Sequence, residues 1–202
     1  MPNVPDDVSP LVSADWLAQR LGTADLLVLD IRSAVDGGGR AAFEAAHIPG
    51  AIHTDYAKDG WRAVKGMATG LLPDPADLKT LFARFGLLPS DQVIIVSAGT
   101  TAGDFSAAAS DRSAGRLPGA VHLDHVLAFD GAAKRLRPLS QLQPLFAKVA
   151  GKPVVNYCNT GHQAATTWFV LSEILRRPST LYDGSMSEWT ESPERPVATG
   201  PE

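Results

Sequence analysis

The chain has a single cysteine, Cys158, among its 202 residues. One thiol excludes an internal disulfide, so a reducing, cytoplasmic setting is the first expectation, with a periplasmic one also compatible. Long apolar runs are absent, which removes a bilayer-spanning segment, and the stretch Met1 to Asp7 lacks the basic-then-apolar pattern of a signal peptide. Charge of one sign is also scarce: the formal net charge is −4, too little for general affinity to nucleic acid or acidic membranes. The rest of the composition is ordinary. Apolar residues make up 45% and charged ones 20%, as in a globular chain with a real core, and the length suits one large domain or two small ones.

The cysteine stands in an informative stretch. Val154, Val155 and Tyr157 are strand formers introduced by the turn residues Gly151 and Pro153. Ala164, Trp168, Leu171 and Leu175 then recur at helical spacing, until Arg176, Arg177 and Pro178 stop the helix. Between strand and helix lies Cys158-Asn159-Thr160-Gly161-His162-Gln163-Ala164. A thiol at such a junction faces unpaired N–H groups and the positive end of a helix dipole, and both favour a thiolate.

Upstream, Ser13 predicts a helix cap, with the helix running to Leu21. Leu26 to Ile31 reads as a strand covered on both faces, Arg40 to Ala46 as a short helix, and Val93 to Val96 as a buried strand. Asp74 and Pro75 open a helix that Gly86 ends, while Tyr56 to Leu72 reads as a long surface connection. Strands alternating with helices predict an α/β fold with a mainly parallel sheet.

The chain also repeats itself. Ile48-Pro49-Gly50-Ala51-Ile52-His53-Thr54-Asp55 returns as Leu117-Pro118-Gly119-Ala120-Val121-His122-Leu123-Asp124, and Leu81-Phe82-Ala83-Arg84 returns as Leu145-Phe146-Ala147-Lys148. The strand Val93–Val96 returns as Val154–Tyr157, with Ser97 where the second copy has Cys158. The order of matches predicts a duplicated domain with the nucleophile in one copy only. Residues 1–109 form the first copy, truncated at its end, and residues 110–202 the second, truncated at its start. Aligning the copies with each other implies that on the order of fifty residues or more are absent near Ser110. The surviving pieces could then build one sheet shared by both copies.

Asp30-x-Arg32-Ser33, His47-Ile48-Pro49-Gly50-Ala51, Cys158 in its polar loop, and Tyr182-Asp183-Gly184-Ser185-Met186-Ser187-Glu188-Trp189, in that order, resemble the tandem rhodanese family of thiosulfate and 3-mercaptopyruvate sulfurtransferases. The resemblance implies a rhodanese-like α/β fold, a mainly parallel sheet with helices on both faces, in duplicated but incomplete copies. It also implies an inactive first copy and a Cys158 persulfide that takes sulfur from a small-molecule donor. A thiol or cyanide would accept that sulfur, a thioredoxin-like protein could serve as reductant, and no cofactor or metal is implied. Two-step covalent transfer predicts ping-pong kinetics. Asn159 to Ala164 would cradle the anion through their N–H groups, and Thr160 and His162 could bond the donor. The family further implies that arginines just before the second Pro-Gly motif, Arg112 and Arg116 here, hold the donor, and that His47 faces the cleft.

Each reading has a plainer rival. Cys158 could be a small core residue, or with His162 half of a metal site, although a second pair of ligands is missing. His47 could simply bond its own backbone, Asp30 and Arg32 could anchor the turn after their strand, and Arg112 and Arg116 could be solvated. Trp61 and Arg62 could line the cleft between copies or merely sit on the connection. Pro193 to Glu202 reads as a frayed tail. A related cysteine-loop phosphatase would need an arginine where Ala164 stands, and the loop itself carries no other fixed cation. A persulfide carrier that no longer turns over is the non-enzyme alternative. Between donors, the loop leans slightly to thiosulfate, with 3-mercaptopyruvate as runner-up.

Overall fold

The computed structural model describes residues 10–97, 115–133 and 135–199. Arg112, the break expected at Ser110 and the loop after Ser97 lie outside the described residues.

In the first copy, β1 (Leu26–Asp30) lies between β2 (Ile52–His53) and β5 (Gln92–Val96), parallel to both. Its apolar run is why it takes the central place: Val28 and Leu29 are buried, and Asp30 follows them into the interior. β5 departs from expectation. It is an edge strand with Ile95 57% exposed, because no further strand or helix among the described residues covers that face. The helix α1 (Ala14–Ala18) starts where Ser13 Oγ accepts the Trp16 N–H at 3.1 Å, but it stops short of Leu21, which follows in mixed turns with Arg20 and Leu21 both donating to the Leu17 carbonyl. Helix α2 (Arg40–Ala45) follows a short 3₁₀ turn at Ala34–Asp36. In α3 (Pro75–Arg84), Asp74 accepts the N–H groups of Ala76 and Asp77, each at 2.9 Å.

The segment 56–72 contains more than a surface connection. β3 (Ala63–Lys65) and β4 (Ala68–Leu71) pair as an antiparallel hairpin. That hairpin leans on the second copy: the Met67 N–H donates to Glu191 Oε1 at 2.6 Å and the Leu72 N–H to Asp183 Oδ2 at 2.9 Å.

The second copy opens with a small hairpin of β6 (Phe129–Asp130) and β7 (Arg135–Leu136), followed by α4 (Leu139–Leu145). β8 (Val154–Asn156) then runs parallel to β9 (Ser179–Leu181), joined by α5 (His162–Phe169) and a wide π turn at Val170–Ile174. The last helix is α6 (Ser185–Trp189). Ala128, Leu142, Phe146, Val170 and Leu171 form the buried core of this copy. Among the described residues β8–β9 and β2-β1-β5 are separate sheets, and none is shared between the copies.

The repeated motif folds alike in both places. Gly50 (φ 80°) and Gly119 (φ 77°) take left-handed turn positions, and the following Ala51 and Ala120 donate back to Ile48 and Leu117 at 3.0 and 3.1 Å. After the turn the copies part. Ile52–His53 joins β1 as β2, whereas Val121 and His122 form no strand because no counterpart of β1 stands beside them among the described residues.

Candidate active site

β8 delivers the chain to the site and is fixed there by its polar end. Asn156 is buried; its Nδ2 donates to the Thr180 carbonyl at 3.0 Å, and its own carbonyl accepts the Tyr182 N–H at 2.9 Å. Cys158 follows as a free, half-buried thiol. Its N–H donates to Ser185 Oγ at 3.1 Å, and Ser185 Oγ donates in turn to the Tyr182 carbonyl at 2.9 Å. The first turn of α6 secures the next carbonyls: Met186 N–H donates to Cys158 O at 3.2 Å and Ser187 N–H to Asn159 O at 2.9 Å. Ser185 does this from a fully buried position at φ 51°, a backbone region that costs a non-glycine residue about 1 kcal/mol or more. The Tyr182–Trp189 motif is therefore the clamp at the base of the cysteine loop.

The rest of the loop is shaped by Gly161 at φ 87°, which caps α5. A Cβ there would strike the Asp183 carbonyl, so glycine is required both by the turn and by the close approach. The backbone N–H groups from Thr160 to Ala164 donate to no acceptor among the described residues. They surround the start of a helix, where donors and dipole together suit an anion.

Among the described residues, a cation from the other copy faces this loop. Arg62, just before β3, donates from Nη2 to His162 Nδ1 at 2.6 Å, with Thr160 Oγ1 3.2 Å from the same nitrogen. Its Cζ lies 5.8 Å from the Tyr56 ring centre, and Tyr56 meets the His162 ring edge-on at 6.2 Å. His162 keeps an exposed surface, yet desolvation by the atoms packed around the ring, followed by the Arg62 charge, pushes its pKa down to about 4. It is neutral at physiological pH, with Nδ1 accepting and the proton assigned to Nε2. Burial likewise lowers the Arg62 pKa, with the neighbouring Tyr56 opposing. Burial, then Glu188, raises the Tyr182 phenol to about 12.

The other expected site residues sit elsewhere. Trp61 donates from Nε1 to Thr54 Oγ1 at 3.0 Å and packs against Phe82 and Phe85, so its contacts belong to the core beside α3. His47 bonds the Phe43 carbonyl through Nδ1 at 2.8 Å and stacks on the Phe43 ring at 4.0 Å, closing the end of α2 within the first copy. Arg116 exchanges backbone hydrogen bonds with Ala198 at 2.9 and 2.8 Å. The tail is thus tied down rather than frayed through Ala198, helped by Trp189 Nε1 donating to the Pro196 carbonyl at 3.0 Å. Asp30 and Arg32 do anchor their turn: Arg32 Nη2 lies 2.7 Å from Asp30 Oδ2 and also donates to the Ala46 carbonyl. For Arg62 the sequence left two places open, the cleft between copies or the connection, because no spacing pattern links it to a loop 100 positions away.

The profile of the rhodanese-like domain matches residues 13–113 and again 104–192. This chain belongs to the rhodanese-like family, with two copies of the domain in tandem. A probable 3-mercaptopyruvate sulfurtransferase of Pseudomonas aeruginosa is 29% identical over 281 aligned positions, covering 94% of this chain and 98% of the relative. A thiosulfate sulfurtransferase of the same organism is 24% identical over 272 positions, covering 95% and 97%. Both alignments are longer than the 202 residues of this chain, so parts of each relative face gaps here. Among solved structures, SseA from Escherichia coli, described as a 3-mercaptopyruvate sulfotransferase, superposes with a TM-score of 0.56. It is 18% identical, with 88% of this chain and 99% of that one covered, a likeness of fold. The α/β rhodanese-like architecture is thereby established. No helix among the described residues is long and apolar enough to cross a membrane.

Proposed function

We propose that this protein is a sulfurtransferase that carries a sulfane sulfur on Cys158, with thiosulfate as the preferred donor and 3-mercaptopyruvate as the runner-up. The observation behind this reading is the loop itself. A half-buried thiol begins it, and the N–H groups from Thr160 to Ala164 have no acceptor among the described residues. Sulfurtransferase relatives that align over nearly the whole chain support the same chemistry.

In the first half-reaction the Cys158 thiolate attacks the outer sulfur of thiosulfate. A bond forms between Sγ and that sulfur, the S–S bond of the donor breaks, and sulfite leaves with the electron pair. The loop N–H groups stabilise the resulting persulfide anion, so no general base is needed at that step. In the second, cyanide or a thiol attacks the terminal sulfur and Cys158 leaves as thiolate. A small thiol or a thioredoxin-like reductant suits the acceptor role, and the unpaired cysteine suits a cytoplasmic setting.

The copies divide near residue 110, where the two profile matches overlap and where we place the shortening implied by the long alignments. The test is direct. Incubation with thiosulfate adds the mass of one sulfur atom to Cys158, and cyanide then releases thiocyanate over many cycles. A single release without turnover would make the protein a persulfide carrier. Cys158→Ser lowers transfer by roughly a thousandfold or more; transfer that survives this change would refute the reading.

A further inference from the structure

We propose that Arg62, carried by the inactive first copy, binds the anionic group of the sulfur donor at the cysteine loop of the second, so that the donor site is built from both copies. This rests on the sulfurtransferase reading above and adds a donor-binding residue to it.

The placement of Arg62 is fixed by backbone rather than by chance contact of a long side chain. The β3–β4 hairpin is tied to the second copy at Met67 and Leu72, through Glu191 and Asp183. Between those ties the hairpin fits closely on the loop: a Cβ added at Gly70 would strike the Thr160 carbonyl and would lie 3.2 Å from Arg62 Nη2. The guanidinium therefore meets the loop at His162 from a hairpin tied to the second copy at two points.

Among the described residues no carboxylate pairs with Arg62. Its side-chain partners are a histidine nitrogen, neutral at physiological pH, and the face of a tyrosine. A guanidinium drawn partly out of water with no carboxylate to meet it is unfavourable until an anion arrives. Arg62 has five N–H donors in a planar fork, and the contact with His162 engages one nitrogen. What remains matches the oxygens of a sulfonate-like or carboxylate group. The open N–H groups from Thr160 to Ala164 lie on the same loop. Thiosulfate and 3-mercaptopyruvate share the required chemistry, an oxyanion beside a transferable sulfur, whereas the acceptor cyanide lacks it.

Ping-pong kinetics separate the two halves of the reaction and so isolate the role. Arg62→Gln is expected to lower kcat/KM for thiosulfate by about 10- to 100-fold while leaving kcat/KM for cyanide unchanged, and Arg62→Lys to recover part of the loss. Repeating the donor arm with 3-mercaptopyruvate tells which oxyanion the fork prefers. An equal fall for donor and cyanide would reduce Arg62 to a structural residue, and no fall in either would remove it from the site. Calorimetric binding of thiosulfate to Cys158→Ser protein gives a readout free of turnover, and there Arg62→Gln should weaken affinity by about tenfold or more. Equal affinity in that background overturns the proposal. Lost affinity in a protein that never turns over would instead overturn the sulfurtransferase reading and leave the anion site standing.

Discussion

At the end of β1 the chain turns through Asp30 to Ser33; at the end of β8 it turns through Cys158 to Ala164. Both are exits from a parallel strand, and both present polar backbone to the same kind of place. In the first, the polar groups are consumed internally. Asp30 takes the Arg32 N–H at 3.1 Å and the Arg32 guanidinium at 2.7 to 3.0 Å, while Arg32 also bonds the Ala46 carbonyl. In the second, carbonyls are secured by α6 while a run of N–H groups stays open around a thiol. The proposed reactivity thus falls at the strand end whose donors are left unfilled, and the paired charges at the other.

The contrast breaks most visibly if Arg32 proves dispensable. Arg32→Ala strands a carboxylate that is 2% exposed, and is expected to cost about 3 kcal/mol by chemical denaturation while the transfer rate per folded molecule holds. Burial raises the Asp30 pKa, but hydrogen bonds from Arg32 and its charge outweigh that and hold it below the ordinary aspartate value. This stabilisation is therefore present above the unfolded pKa and is lost as pH falls through the folded one. The gap between wild type and variant should be widest near neutrality and shrink below about pH 4. An undiminished gap in acid would deny the pairing its role.

Gly161→Ala sharpens the other side. It forces a side chain into φ 87° and against the Asp183 carbonyl, and is expected to cost about 2 kcal/mol while also slowing sulfur transfer. A variant as fast as wild type would mean that the curl of the loop does not matter to the chemistry. The smallest effect concerns His162. Its ring should titrate at about 4 when followed by NMR, and Arg62→Ala should raise that midpoint only part of the way to the ordinary histidine value, since burial is the larger cause. Because the folded protein disfavours the imidazolium, His162 adds stability as pH rises from about 4 toward the ordinary value. A midpoint unmoved in the variant would separate Arg62 from the ring.

Local signals in the sequence carried much of this. Apolar runs marked β1 and β8, Asp74-Pro75 marked the start of α3, and the repeated Pro-Gly turn folded the same way twice. Ser13 marked a helix start but not its end: the regular helix closes at Ala18, and Leu21 is reached through mixed turns in which both Arg20 and Leu21 donate to the Leu17 carbonyl. β5 read as buried on composition alone; whether its outer face is covered depends on elements that composition does not report. The lone cysteine and its glycine were legible because strand, loop and helix are contiguous. Arg62 was legible only as one of two alternatives, cleft or connection, since it reaches the loop through a hairpin whose seat depends on Asp183 and Glu191, more than 100 positions away. Trp61, one residue earlier, points the other way into aromatic packing, and only the fold separates the two.

The ties at Met67 and Leu72 bear on how such a protein can be dissected. A fragment starting near residue 110 would retain the thiol but would shed the guanidinium, uncover the Thr160 carbonyl and leave Asp183 and Glu191 without the amides they accept. On the donor-binding role proposed for Arg62, the first half is then no vestige: inheritance of the second half alone would yield a cysteine loop stripped of the guanidinium that faces it.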